Sequence, residues 1–210
     1  MAVLISGIGF DEKFVVRAFL RRGINQVKEV LLVKPKGEEP RSQEALNSLR
    51  SLMSETSTPL QVLEVDHTDF PTAVSQVMHW IKGSRHTEFI VNLSSGMRVL
   101  ILEILTAFLL LRIDAEVEVE TESGEGVISW RTRDLMGQEI EETELRILAL
   151  IQQGETSSLG ISKRLKIPTS TVWRKVRRLQ EAGFIEAEGR EVRLTNKGRI
   201  FVKFFQNSRI

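Results

Sequence analysis

Phe89-Ile90-Val91-Asn92-Leu93-Ser94-Ser95-Gly96-Met97-Arg98 is the stretch whose reading decides the fold. Its first half is an apolar run closed by Asn92, which is how a strand buried inside a parallel sheet reads. Ser94-Ser95-Gly96 is turn chemistry, and an apolar helical run, Val99 to Leu111, starts directly after it. A polar loop between a strand's carboxyl end and a helix's amino end is where open α/β sheets bind ligands. The first amides of such a helix lack internal partners and lie at a positive dipole end, and Arg98 adds a forked cation there. The combination suits a phosphate or another anion. The plainer alternative is a capped strand-to-helix turn with a surface arginine.

Outward from this stretch, strands and helices alternate. Strands are expected at Val3–Ser6, Val30–Val33, Gln61–Val65, Glu88–Val91 and Ala115–Glu120, with helices between them. Gly124-Glu125-Gly126 then turns into a hairpin partner, Val127–Trp130. The expected fold is α/β: a doubly wound, mostly parallel sheet with an antiparallel edge hairpin, followed by a smaller second domain. Glu116, Glu118 and Glu120 alternate on the fifth strand and are expected to face solvent at that edge. Gly7-x-Gly9 follows the first strand, but Glu12 occupies the third position of a dinucleotide fingerprint and Lys34 stands where a ribose-binding acid belongs, so a nicotinamide enzyme is disfavoured. In the common doubly wound order the first and fourth strands are neighbours, and both loops would line one cleft. The helix Val99–Leu111 is apolar nearly all round, which favours burial against a second subunit.

Charge divides the chain. Residues 1–137 carry 15 Lys+Arg against 19 Asp+Glu, giving −4, and residues 138–210 carry 14 against 9, giving +5. An acidic module joined to a nucleic-acid-binding one is the expectation. Cysteine is absent, excluding disulfides and thiol chemistry, and with no signal-peptide or membrane-span pattern a cytoplasmic location is expected. His67, His79 and His86 lack ligand spacing and an evident carboxylate partner, so no metal site and no catalytic residue is assigned. Arg131–Glu139 reads as a connector, giving expected domains 1–131 and 141–210 with a linker at 132–140. Beyond it come a helix from Glu141, a short helix capped by Thr156-Ser157-Ser158, a turn at Pro168, and a basic helix from Ser170 to Ala182. A hairpin with Gly189 near its tip and a helix from Lys197, bringing Phe201, Phe204 and Phe205 to the core, complete the chain. This is the order of a winged helix-turn-helix.

The run from Ser170 to Ile185, with Leu194-Thr195-Asn196-Lys197-Gly198, resembles the MarR-like winged-helix regulators. Gly7-Ile8-Gly9-Phe10-Asp11 and Asn92-Leu93-Ser94-Ser95-Gly96-Met97-Arg98 together resemble the two loop motifs of CRISPR-associated Rossmann-fold (CARF) domains, although Ser95 stands where many members have a second glycine. CARF followed by a winged helix is the layout of the archaeal CRISPR-associated transcription regulators. The resemblance implies a homodimer that binds a cyclic oligoadenylate, commonly the tetra-adenylate, across its two-fold axis; no other cofactor is expected, and no membrane partner, since the longest apolar run, Val99 to Leu111, contains Glu103 and Thr106. The implied ligand residues are Ser6, Gly7, Ile8, Gly9, Phe10, Asp11, Asn92, Ser94, Ser95, Gly96, Met97 and Arg98. Some CARF proteins slowly cleave their ring, and Ser6, Ser94, Ser95 and Arg98 make a ring nuclease the rival reading. On promoter DNA, Ser170, Thr171 and Arg174 are expected near base edges. Arg190 and Arg193 of the wing, with Lys175 and Arg178, are expected on phosphates, and Thr169 and Arg177 complete the interface.

Overall fold

The computed structural model describes residues 2–37, 40–121, 125–188 and 191–207. It divides into a first unit ending at Arg133 and a second beginning at Asp134. In the first unit, strands and helices alternate as β1 (Ala2–Gly7), α1 (Lys13–Arg22), β2 (Val27–Pro35), α2 (Pro40–Glu55), β3 (Leu60–Val65), α3 (Phe70–Gly83), β4 (Phe89–Asn92) and α4 (Arg98–Leu111), followed by β5 (Glu116–Glu120) and β6 (Val127–Arg131). The sheet order among the described residues is β3-β2-β1-β4-β5-β6, parallel except for β6. This is the doubly wound Rossmann-like sheet expected.

Period-two alternation splits the strands between two cores. Val3, Ile5, Leu31, Val33, Val91 and Val117 face α3 and α4, whereas Leu4, Val30, Leu32 and Ile90 face α1 and α2. Each fully buried aliphatic or aromatic side chain contributes about 1.5–3 kcal/mol. Phe108 of α4 meets Phe89 of β4 edge to face, 5.4 Å between centroids.

The acidic strand is a correction. β6, not β5, is the edge, and the glutamates of β5 turn toward α1 rather than water. Glu118 is 1% exposed and accepts from Arg21 at 3.0 Å and Arg22 at 2.7 Å. Glu116 pairs with Arg22, and Glu120 with Arg17. Each arginine lies more than ninety residues from its acid, beyond any local pattern. The start of the expected connector is also structured: residues Thr132–Leu135 form a 3-10 helix. Thr132 is buried there, donating to Ile113 O and accepting from Ala115 N–H.

The second unit contains α5 (Glu142–Gln152), α6 (Ser158–Leu165), α7 (Thr169–Glu181), β7 (Ile185–Glu188), β8 (Glu191–Leu194) and α8 (Asn196–Asn207). Ser157 caps α6 by accepting from Gly160 N–H at 3.0 Å. Pro168 starts α7, and Gly183, at φ +76°, follows its end. The core gathers Ile147, Leu148, Ile161, Val172, Leu179, Phe184 and Val202. Phe201 packs against this core, but Phe204 and Phe205 do not, being 63% and 37% exposed. Val202 is buried in this core instead.

Candidate functional site

The order β1-β4 at the centre of the sheet brings the two glycine-containing loops together, and they interlock. A Cβ on Gly7 would stand 2.8 Å from Ser95 O, and one on Gly96 would stand 3.1 Å from the backbone of Gly7. Gly96 also has φ +98°, a conformation side chains rarely tolerate. These glycines therefore let loop meet loop. Asn92, wholly buried, fastens the crossing. Its amide nitrogen donates to Ser6 Oγ at 3.2 Å and to Phe14 O at 3.4 Å. Its amide oxygen accepts from Ser94 N–H and from Ser94 Oγ at 2.6 Å, forming an Asx turn. Ser94 Oγ in turn accepts from Glu120 N–H at 2.8 Å, tying the loop to β5.

Above the crossing lies a cleft of about 570 Å³, lined by Ile8, Gly9, Phe10, Asp11, Ser94, Ser95, Gly96 and Met97 from the two loops. Phe14 of α1, Pro35 at the end of β2 and Ser42 of α2 complete its wall, three residues that sequence reasoning missed. Their signal was weak, because each belongs to a neighbouring element and carries no motif. Three expected ligand residues stand differently. Ser6 and Asn92 are wholly buried beneath the cleft and bonded to one another, and Gly7 serves the crossing. Arg98 is exposed at the start of α4 and is not among the lining residues. Phe10, 65% exposed, and Met97, 43% exposed, present apolar surface at the mouth. Asp11 carries charge on the wall, but Lys13 holds it at 2.6 Å, and the hydrogen bonds from Lys13 lower its pKa. The single proton of Ser94 is committed to Asn92, so this hydroxyl has none to offer a ribose or a leaving oxygen. Among the described residues no group of His, Asp and Glu could hold a metal ion, and no helix is long and apolar enough to cross a membrane. His86 does have a carboxylate partner, Glu29, at 3.4 Å.

In the second unit, α7 presents Thr169, Ser170, Trp173, Arg174 and Arg177 on its exposed side, while Thr171 is half-buried. Arg193 is exposed on β8, and Arg190 lies outside the described residues. Lys175 and Arg178, expected on phosphates, are engaged within the protein. Lys175, its side chain 12% exposed, reaches Glu141 at 2.6 Å, and Arg178 reaches Glu141 at 2.6 Å and Glu144 at 3.2 Å. The lysine hydrogen bond lowers the pKa of Glu141. Charges already neutralised release few counterions on binding a polyanion, whereas Arg177 is held only by the exposed Glu181, a pair of little energetic weight. Arg174→Ala and Arg177→Ala are each expected to lower the salt slope of log K for duplex DNA by about one unit, and Lys175→Ala by much less. Titrations at several salt concentrations measure this, and equal slope changes for Lys175 and Arg174 would contradict it.

The model of the Csa3 CRISPR-associated Rossmann-like domain matches residues 2–131. A winged helix-turn-helix DNA-binding model matches residues 140–186. No curated protein matches the chain. Among solved structures it is similar to Can2 from Sulfobacillus thermosulfidooxidans in complex with cyclic tetra-adenylate, at 12% identity and a TM-score of 0.49, covering 99% of this chain and 66% of that one. It is also similar to Enterococcus italicus Csm6 bound to cyclic hexa-2'-fluoro-hexa-dAMP, at 12% identity and a TM-score of 0.44, covering 86% and 55%. The chain thus spans about two thirds or less of the length of both.

Proposed function

The chain belongs to the family of the Csa3 CRISPR-associated Rossmann-like domain and joins that domain to a winged helix-turn-helix, and from this we propose that it is a dimeric transcription regulator controlled by cyclic tetra-adenylate. The observation that carries the reading is the cleft over the interlocked loops. Its volume falls in the range of small-molecule sites. Phe10, Phe14 and Met97 offer apolar surface to purine rings. The amino end of α4, where Met97 supplies no side-chain cap, suits phosphates, with Arg98 as the nearby cation.

Pairing about a two-fold axis is supported by α4. Its core side is filled, yet Leu102 and Leu110 are 56% and 64% exposed on the other. A second copy would cover this flank and set two clefts beside one axis, which fits a ring with internal symmetry. The operator would then be a pseudo-palindrome with half-sites about one helical turn apart. Sensing is favoured over cleavage, because the cleft's one acid is held by Lys13 and Ser94 has no proton to give.

Purified protein incubated with cyclic oligoadenylates of several ring sizes, followed by binding measurement and product analysis, tests the reading. The tetra-adenylate is expected to bind and to be recovered intact, and Arg98→Ala to weaken binding at least ten-fold, about 1.4 kcal/mol. Absence of binding by every ring discards the ligand, and rapid linear product favours the enzyme. Sedimentation showing only monomer at micromolar concentration discards the dimer.

A further inference from the structure

Trp173 is the fifth residue of α7 and is 65% exposed. The other two tryptophans are half-buried: Trp80 donates its indole N–H to Gln61 at 2.9 Å, and Trp130 packs on the core of the first unit. Trp173 makes no hydrogen bond or ring contact with any described residue. Its helix has no need of it for packing, since Val172 and Leu179 are buried and Val176 rests against the same core. A large apolar ring kept in water can still gain that burial against a partner, and an indole does so over a large contact area.

The neighbours of Trp173 specify that partner's charge. Thr169, Ser170 and Arg177 share its side of the helix at spacings of three and four, the exposed Arg174 follows it directly, and the nearest acid on α7, Glu181, lies two turns on. The surface is cationic and hydrogen-bonding around a single apolar ring, and it lies in the amino-terminal half of the helix that this motif sets into the major groove. The major groove offers one apolar feature on an unmodified base, the 5-methyl group of thymine. We infer that Trp173 reads a thymine methyl in each half-site, adding base selection by apolar contact to the polar contacts of Ser170 and Arg174. The inference rests on the DNA-binding reading above and names one more side chain that carries specificity.

The test uses full-length protein and duplexes it selects from a random-sequence pool. Each thymine is replaced in turn by uracil, which pairs identically with adenine and lacks only the methyl group. For the wild-type protein one replacement per half-site is expected to weaken binding about five-fold, the order of one methyl group buried. In Trp173→Ala that uracil penalty disappears, and selection from the pool no longer enriches thymine there. Trp173→Phe retains part of both effects. Because the indole is exposed, Trp173→Ala should melt as the wild type does, so lost discrimination is not lost folding. A wild-type protein indifferent to every uracil replacement, or a Trp173→Ala variant that keeps the penalty, overturns the inference while leaving DNA binding intact. Failure of the wild-type protein to bind any duplex overturns DNA binding and the inference together.

Discussion

A Gly198→Ala variant is expected to melt its C-terminal unit roughly 10–25 °C lower, a loss of about 3 kcal/mol for a unit of this size. Gly198 lies in the first turn of α8, and a Cβ there would stand 2.2 Å from Phe184 O. The obstacle is backbone, and it is held. Phe184 O accepts from Thr195 N–H at 3.1 Å, and the preceding carbonyl, of Gly183, accepts from Thr195 Oγ1 at 2.6 Å. The Phe184 ring is 1% exposed, meets Phe201 edge to face at 5.1 Å, and lies beneath Lys197 Nζ. Lys197 Nζ itself donates to Ala182 O beyond α7. The Leu194-Thr195-Asn196-Lys197-Gly198 motif is thus a clasp between the end of α7 and the start of α8, so retreat from the new methyl group breaks several contacts at once. Calorimetry should register the loss in the C-terminal unit and none in the first. Gly83→Ala is the control, since nothing stands within 4 Å of a Cβ there. A Gly198→Ala protein melting like the wild type would mean that α8 slides freely, contrary to the clasp.

The second large effect is expected at Glu103. It lies on the core side of α4 with Leu100, Ile104, Ala107 and Phe108, wholly buried, and neither carboxylate oxygen bonds any described residue. Burial alone pushes its pKa up to about 7, from an ordinary value of 4.5. Below the ordinary value the folded and unfolded chains are both protonated at this position, and the full stability is present. As pH rises toward 7 the unfolded chain ionises while the folded one keeps its proton. Stability therefore falls by about 3 kcal/mol across the window and then levels. Asp11 and Asp66, whose pKa values are lowered chiefly by hydrogen bonds from Lys13 and Thr68, act in the opposite direction but at more acidic pH. Glu103→Leu, similar in volume and uncharged, should raise stability at pH 8 by about that amount and flatten the profile. Urea unfolding at pH 5 and pH 8 measures both, and a wild-type profile flat between those values would contradict the assignment.

Much of this architecture is local in origin. Apolar strands ending in polar turns, apolar stripes at helical spacing and the glycines after Arg22 and Ala182 each act within a few residues. Read together they yield the α/β sheet, the loop from Asn92 to Arg98 and the winged helix. The pairing of β1 with β4 also followed, because the common doubly wound order makes those strands neighbours. The long-range ion pairs have a common form. Glu116, Glu118 and Glu120 were expected in water and found arginines of α1, and Lys175 and Arg178 pair with acids at the start of α5. In each case the partner lies some thirty to a hundred residues away.

The same division runs through the functional residues. Residue type and spacing determined the two glycine loops and the one basic helix, because turn geometry and helical periodicity are properties of short segments. Tertiary structure alone decided that Asn92 and Ser6 fasten the cleft from below, that Phe14, Pro35 and Ser42 finish its wall, and that Trp173 stands in water while Phe201 does not. Exposure and pairing depend on which distant elements pack against a residue, and packing is a property of the whole chain.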